Sequence, residues 1–429
     1  MSPFQQAEGP DTAAAVVGTP ATLLGAGAVL GIDRVPARKG RRAAARPDED
    51  AVTLAAEAAA LAIPADADRI GGIIFVTTTP PYLEGAAVQA LAELLDLQGN
   101  TFALELSASL RDGLAAVRLA ASLAPSIGPV LVCASHAGRG DRTMGDGAVA
   151  LLIGADAGEG AGLARLTPVT STSIEIRDRW RLPGDDVPRD ADRSFAQEIG
   201  TVKLVNDLIA GLPEELKAPP VVVGPDARGS ATVEKAGGGA ADAVTSLSGV
   251  IGAAHPLLRL VASLDAPALV VAMSNGLGEA VHVVPAPAGA AAAAQVRGLA
   301  ANGGAEADRA MADPMPADFN PYSSGPRAWR DRDVDLRLAG LFGPAEGLPA
   351  VPGRRHPEGV IIARTADHVY PAGKVTEMAV ATMDDGGQYY GQVTVGDDVQ
   401  IGDRVKLVPR RLHHGGGMIQ YHWKVTPCR

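Results

Sequence analysis

Short apolar runs bounded by glycine, alternating with Ala/Leu-rich segments of helical period, constrain this chain more than any other feature. GGIIFVTTT (71–79) and GPVLVCAS (128–135) offer little polar surface, as strands covered on both faces require. Between them, GAAVQALAELLDL (85–97) and DGLAAVRLAASLA (112–124) repeat apolar residues at helical spacing around TFALELSAS (101–109). ATLLGAGAVLG (21–31) and GDGAVALLIGA (145–155) are further strand-like runs. A second set follows: EIGTVKLVNDLIAGL (198–212) as helix, APPVVVG (218–224) as strand, HPLLRLVASL (255–264) as helix and PALVVAMSNGLG (267–278) as strand. Two α/β sets of similar size predict a duplicated, two-lobed, layered sheet–helix core.

At 429 residues the chain is long enough for about three packing units. Apolar residues make up 47%, which supplies a large core, and the formal charge of −11 argues against nucleic acid as a partner. No apolar run is long enough for a membrane span, and the opening MSPFQQAEGPDTAA has no signal-peptide pattern, so a cytoplasmic protein is expected. Cys133 and Cys428 are the only cysteines, too few for a disulfide framework or a four-thiolate metal site.

The predicted units are a disordered lead-in (1–20), an N-terminal lobe (21–165), a C-terminal lobe (166–285), a linker with an Ala/Gly tract (286–357) and a β-rich tail (358–429). The tail's short strands, separated by GG, GDD and HHGGG, describe a small barrel. Its last 29 residues carry six Lys/Arg and one Asp, against the acidic trend of the whole. Asp48, Glu49 and Asp50 precede AVTLAAEAAALAI (51–63), where carboxylates suit the positive end of a helix dipole. The densely charged DRWRLPGDDVPRDADRSFAQEIG (178–200) reads either as an exposed ion-paired loop or as the lining of a polar cleft between the lobes. Asp185 and Asp186 there have arginines to pair with more readily than a metal.

The 178–200 segment, with PDEDAVTLAAEAA (47–59), TTPPYLEG (78–85) and GDGAVALLIG (145–154), resembles the 3-hydroxy-3-methylglutaryl-CoA synthase family, in the ketoacyl-synthase-III-like branch of the thiolase superfamily. The resemblance spans roughly residues 20–285. It implies a thiolase-type αβαβα core, CoA thioesters as substrate or ligand, and dimerisation with a second copy or a thiolase-like partner. PYSSGPRAWRDRDVDLRLAGL and IGDRVKLVPRRL…GGGMIQYHWKVTP (401–427) resemble the acyl-CoA-associated OB-fold domain. That family's zinc ribbon is built on paired cysteines, and RLAGLFGPAEGLPAVPGRRHPEGV (337–360) has none, so no zinc is expected.

The resemblance also implies a nucleophilic cysteine in FALELSASLRDGLAAV (102–117), which contains none. The position falls on Ala108, Ser109 or Leu110, beside Ser107. A serine would need an adjacent base. Where the family's histidine should follow APPVVVG the chain reads GPDARGS, leaving Asp226 as the base candidate. The third polar position falls near Val250, with His255 close by. Tyr82 and Glu84 lie near the position of the family's acidic residue. Cys133 sits mid-strand as a small hydrophobe, and His413 and His414 read as turn residues.

Arg38 and Lys39, in a basic run with Arg41 and Arg42, could meet a CoA phosphate. Trp180, Arg181 and the Ser274-Asn275-Gly276 turn complete the binding candidates. Two readings remain. One is an enzyme making or breaking a carbon–carbon bond, or transferring an acyl group, on acyl-CoA or acyl-carrier-protein thioesters, without a tightly bound cofactor. The other is a degenerate acyl-CoA-binding or scaffolding subunit.

Overall fold

The apolar runs become the inner strands of one sheet in the computed structural model, which describes residues 17–36, 41–65, 67, 69–97, 99–138, 143–185, 187–224, 226–239, 242, 244–301, 325–338, 357–368, 375–384, 386–415 and 417–428. The first half contains β1 (Ala21–Leu30), β2 (Asp33–Pro36), β3 (Arg41–Ala44), α1 (Ala51–Ala62), β4 (Gly72–Thr77), α2 (Val88–Leu94), β5 (Phe102–Leu106), α3 (Asp112–Ile127), β6 (Val130–His136) and β7 (Gly147–Ala155). The second contains β8 (Ala164–Ser173), the ribbon β9 (Arg179–Trp180) and β10 (Arg189–Asp190), α4 (Arg193–Gln197), a π-helical turn (Glu198–Lys203), α5 (Leu204–Ala210), β11 (Pro220–Val223), α6 (Ala227–Ala236), α7 (Thr245–Ser248), α8 (His255–Ala262), β12 (Ala268–Ser274) and β13 (Leu277–Pro285). The Ala/Gly tract, expected as a linker, is helical in α9 (Gly289–Ala301), whose Ala293 and Val296 join the core. α10 (Gly325–Asp335) precedes the tail.

The sheet is mixed and nine-stranded, in the order β11-β12-β13-β8-β1-β7-β6-β4-β5. Its halves are not separate sheets. They join where Ala21–Leu23 of β1 pair with Leu166–Ala164 of β8. Leu114, Val117 and Ala121 of α3 and Leu257 and Val261 of α8 pack between Ile74, Val132 and Leu151 of the first half and Val221, Val270 and Val281 of the second. On the outer faces, α1 covers Ile73 and Phe75, while α5 covers Val222 and Val271. Helices therefore cover both faces of the inner strands, which are apolar on both sides and need cover on each.

The tail forms β14 (Glu358–Asp367), β15 (Thr376–Met383), β16 (Gln388–Gln392), β17 (Arg404–Gly415) and β18 (Met418–Pro427), five antiparallel strands in the order β16-β15-β14-β17-β18. A parallel bridge between Val393 and Val425 brings the ends of that order together, leaving a nearly closed barrel. His413 and His414, expected in a turn, end strand β17 opposite Gln420 and Ile419.

The barrel docks on the entrance to α1. Only Asp50 acts there as a helix cap, accepting from Val52 N and Thr53 N. Asp48 and Glu49, read from sequence as helix-dipole carboxylates, instead meet Lys424 and Arg410 of the barrel at 3.1 and 3.0 Å. Tyr421 donates its hydroxyl to Asp50 at 2.9 Å, and Arg46 meets Asp397 at 2.7 Å. Apolar contact continues the seam, since Ile361, Leu407 and Trp423 share one cluster with Val52, Leu54 and Phe75. The basic tail thus neutralises the acidic approach to α1.

Among the described residues no helix is long and apolar enough to cross a membrane. Within the same limit, no group of three His, Cys, Asp or Glu side chains is placed to hold a metal ion. Most of 337–360, the stretch without zinc-ribbon cysteines, lies outside the described residues.

Candidate active site

A cleft of about 760 Å³ opens beside the ends of β4, β6 and β12 and the start of α3. Both halves and the barrel contribute to its wall: Thr78–Pro81, Ala108–Leu110 and His136 from the first, Asp178–Arg181, Asp226 and Ser274–Asn275 from the second, Arg411 and Ile419 from the third. The 178–200 segment shows both expected characters: Asp178–Arg181, Pro188, Asp190, Ala191, Arg193 and Ala196 line the cleft, while other residues form an exposed, ion-paired loop. Asp185 pairs with Arg189 at 2.7 Å as the sequence suggested; Asp186 lies outside the described residues.

The start of α3 is an aspartate-organised turn. Asp112 accepts from Ala108 N at 3.2 Å and Ser109 N at 2.8 Å, and the Ser109 hydroxyl donates to the same carboxylate at 3.1 Å. Ser109 lines the cleft, but its proton is directed to Asp112, which supports the turn. Ser107 is exposed and does not border the cleft.

Asp226 borders the cleft as the N-cap of α6. One oxygen accepts from Arg228 N and Gly229 N, both at 2.9 Å, and the other lies 3.4 Å from Arg193 Nε. Both oxygens of that carboxylate are thus taken up by the helix start and the Arg193 guanidinium. His255 is buried away from the cleft, with Nε2 at 2.7 Å from Thr245 Oγ1; burial, then the nearby Arg259, lower its pKa to about 3. Tyr82 accepts from Ile419 N at 3.0 Å and joins the barrel to the 78–85 loop rather than the cleft.

Trp180, Arg181 and Asn275 line the cleft. Gly276 supports Asn275 from behind: its φ is +69°, and a Cβ there would lie 1.9 Å from Ile174 O, so only glycine fits. Arg38 and Lys39 lie outside the described residues. Cys133 is fully buried in β6, where burial pushes its thiol pKa well up, leaving an inert core residue. Cys428 is exposed near the end of the chain.

Three features escaped sequence reasoning. Asp178 is 3% exposed and borders the cleft. Its Oδ2 accepts from Asn275 N at 2.6 Å, while Asn275 Oδ1 accepts from Asp178 N and Arg179 N, both at 3.1 Å. Among the described residues no hydrogen bond of ordinary geometry reaches Asp178 Oδ1. Burial raises this carboxyl's pKa against the opposing pull of the Asn275 amide and the Ser274 hydroxyl. His136, at the end of the run read as GPVLVCAS, places Nδ1 at 2.9 Å from Thr78 Oγ1 inside the cleft. Arg411 and Ile419 arrive from the barrel, far along the chain from the rest of the lining, which no local pattern signals.

No family model and no curated protein matches the chain. Solved structures do. The HMG synthase of the curacin biosynthetic pathway is 20% identical, with a TM-score of 0.55 over 66% of this chain and 84% of that one. An HMG-CoA synthase complexed with CoA is 16% identical, with a TM-score of 0.55 over 72% and 96%. The 3-oxoacyl-(acyl carrier protein) synthase III of Xanthomonas oryzae is 14% identical, with a TM-score of 0.53 over 63% and 100%. At these identities the likeness is one of architecture, and the chain has the thiolase-like fold that these synthases share.

Proposed function

We propose that this protein is a thiolase-like enzyme that holds acyl-CoA or carrier-bound acyl thioesters in the cleft, and makes or breaks a carbon–carbon bond or transfers an acyl group without a cysteine nucleophile. The observation that carries the reading is the convergence of three elements on one cleft: the Ala108–Leu110 turn before α3, the Ser274–Asn275 turn, and the buried Asp178 carboxyl, whose pKa burial raises. A buried carboxyl with a raised pKa at the wall of a cleft is a candidate for handling a proton there. One structural neighbour was crystallised with CoA and another with a holo donor-ACP, which supports these thioester carriers as the ligand class.

The tail we read as an OB fold. Its closed order β14-β15-β16-β18-β17, with the parallel contact between the third and fifth strands, supports this. The domain limits 21–165, 166–285 and 358–429 belong to the same proposal. So does a dimer through strand β5, an edge strand that exposes Phe102. The second reading, an acyl-CoA-binding or scaffolding subunit, is favoured by the commitment of Ser109 and Asp226 to helix starts.

The deciding experiment is calorimetry with acetyl-CoA, acetoacetyl-CoA and longer acyl-CoAs, followed by measurement of thiol release. Binding with turnover supports the enzyme. Binding without turnover supports the subunit, and absence of binding to every ester sinks both.

A further inference from the structure

Thr78 borders the cleft with its hydroxyl seated on an imidazole. Its Oγ1 lies 2.9 Å from His136 Nδ1, and both residues border the cavity. The pair is held from two sides. Thr79 Oγ1 accepts from Ala137 N at 3.0 Å and Thr77 Oγ1 accepts from Thr79 N at 3.1 Å, which ties the 77–79 loop to the end of β6. On the other side Gly252, at φ +50°, presses its backbone against the pair: a Cβ there would lie 2.5 Å from Thr78 Oγ1 and 2.7 Å from His136 Nδ1. Only glycine allows that approach. Ser109, the hydroxyl expected from sequence, has a carboxylate rather than an imidazole as its partner.

We propose that Thr78 is the nucleophile of this cleft and His136 its general base, a deepening that rests on the acyl-thioester reading. With Nδ1 unprotonated, His136 takes the Thr78 proton as Oγ1 attacks the thioester carbonyl. The Oγ1–carbon bond forms and the carbon–sulfur bond breaks. The proton then passes from His136 to the departing thiolate, so no oxidant or reductant is needed. The resulting threonine ester is released to water or to a second acyl acceptor, with His136 deprotonating the incoming group.

The full-length protein is incubated with acetyl-CoA, and separately with p-nitrophenyl acetate, quenched in acid and mapped by peptide mass spectrometry. The expected adduct lies on Thr78 and survives neutral hydroxylamine, which removes thioesters. Thr78→Ser keeps the adduct; Thr78→Val and His136→Asn lower the acylation rate by roughly 100-fold or more. His136→Asn also flattens the pH dependence of acylation, and Cys428→Ser leaves it unchanged. Thermal melts of Thr78→Ser and Thr78→Val separate loss of chemistry from loss of fold. Thioester bound and consumed with an adduct elsewhere, or at the wild-type rate in Thr78→Val, overturns the dyad alone. So does binding with no adduct from either probe. Failure to bind any CoA ester, with Thr78 still acylated by the nitrophenyl ester, overturns the acyl-CoA reading and leaves the dyad standing.

Discussion

Lys424 of the barrel places its ammonium 3.1 Å from Asp48 Oδ2 at the entrance to α1, with both side chains excluded from water. Burial works to raise the Asp48 carboxyl, yet Lys424 and Arg410 outweigh it and hold it below the usual range. Val395 N adds a hydrogen bond to the same oxygen at 3.1 Å. The barrel is therefore fixed to the core by charges that can be satisfied only when the two are in contact.

Removing one member of that pair should cost more than removing both. Lys424→Met is expected to destabilise the protein by about 3–5 kcal/mol, because it leaves Asp48 buried without its cation. Asp48→Leu with Lys424→Met should recover much of that loss. Denaturant unfolding of the three proteins checks this; equal losses in single and double variants would deny the pair its importance.

Two buried groups should act oppositely on acid stability. Burial, against the pull of Arg410, raises Glu49 to about 7, from an ordinary 4.5. The folded state then binds the extra proton, so this group favours folding below pH 4.5 and loses that contribution as pH rises toward 7. His255, lowered to about 3 from 6.5, binds its extra proton in the unfolded state, so stability is lost as pH falls below 6.5. Unfolding free energies from pH 4 to 8 should therefore fall less steeply on acidification in His255→Asn than in the wild type. Glu49→Gln should show the reverse change. Parallel curves in all three proteins would contradict both assignments.

Gly276→Ala should be strongly disruptive at one turn. The left-handed backbone alone costs a non-glycine residue about 1–2 kcal/mol, and the clash with Ile174 O adds to it. The melting temperature should drop, and acyl-CoA affinity should fall further than in Gly386→Ala, a glycine also at positive φ but with open space around it. Equal affinity in the two variants would separate the Asn275 turn from ligand binding.

Ile419→Trp tests whether the barrel shapes the ligand site. Ile419 borders the cleft, so a larger ring should take room from a long acyl chain. Losing burial of two methylenes weakens binding by about 1.6 kcal/mol, roughly fifteenfold, for long-chain esters, with little effect on acetyl-CoA. Calorimetry across chain lengths reads this directly, and a uniform loss would point to a disturbed barrel instead.

The strands were legible because a buried strand has few alternatives: GGIIFV and VLVCAS appear close to their expected limits, and the tail forms short strands as expected. Less visible were β8 and β13, whose polar and glycine residues mask the pattern, and α6, whose start is set by the Asp226 cap rather than by an apolar stripe. The cleft was legible only in part. Trp180, Arg181, Asn275 and Asp226 carry local signals, but Asp178 is held by Asn275, 97 residues away. His136 finds Thr78 across 58 residues. Asp48 and Glu49 looked like helix-start carboxylates, and their cations lie more than 350 residues downstream. Burial and pairing at that range belong to the tertiary fold, and spacing along the chain does not encode them.

Carrying barrel and core on one polypeptide has a consequence for how the cleft is assembled. A separate barrel would have to reach its seat by collision, and dilution would leave empty cores in proportion. Tethered, it is present at an effective concentration of order millimolar. Every core then has its own Arg411 and Ile419, and occupancy of the seam does not vary with protein abundance. The wall of the ligand site that comes from the barrel is delivered one to one, at translation, without any assembly step.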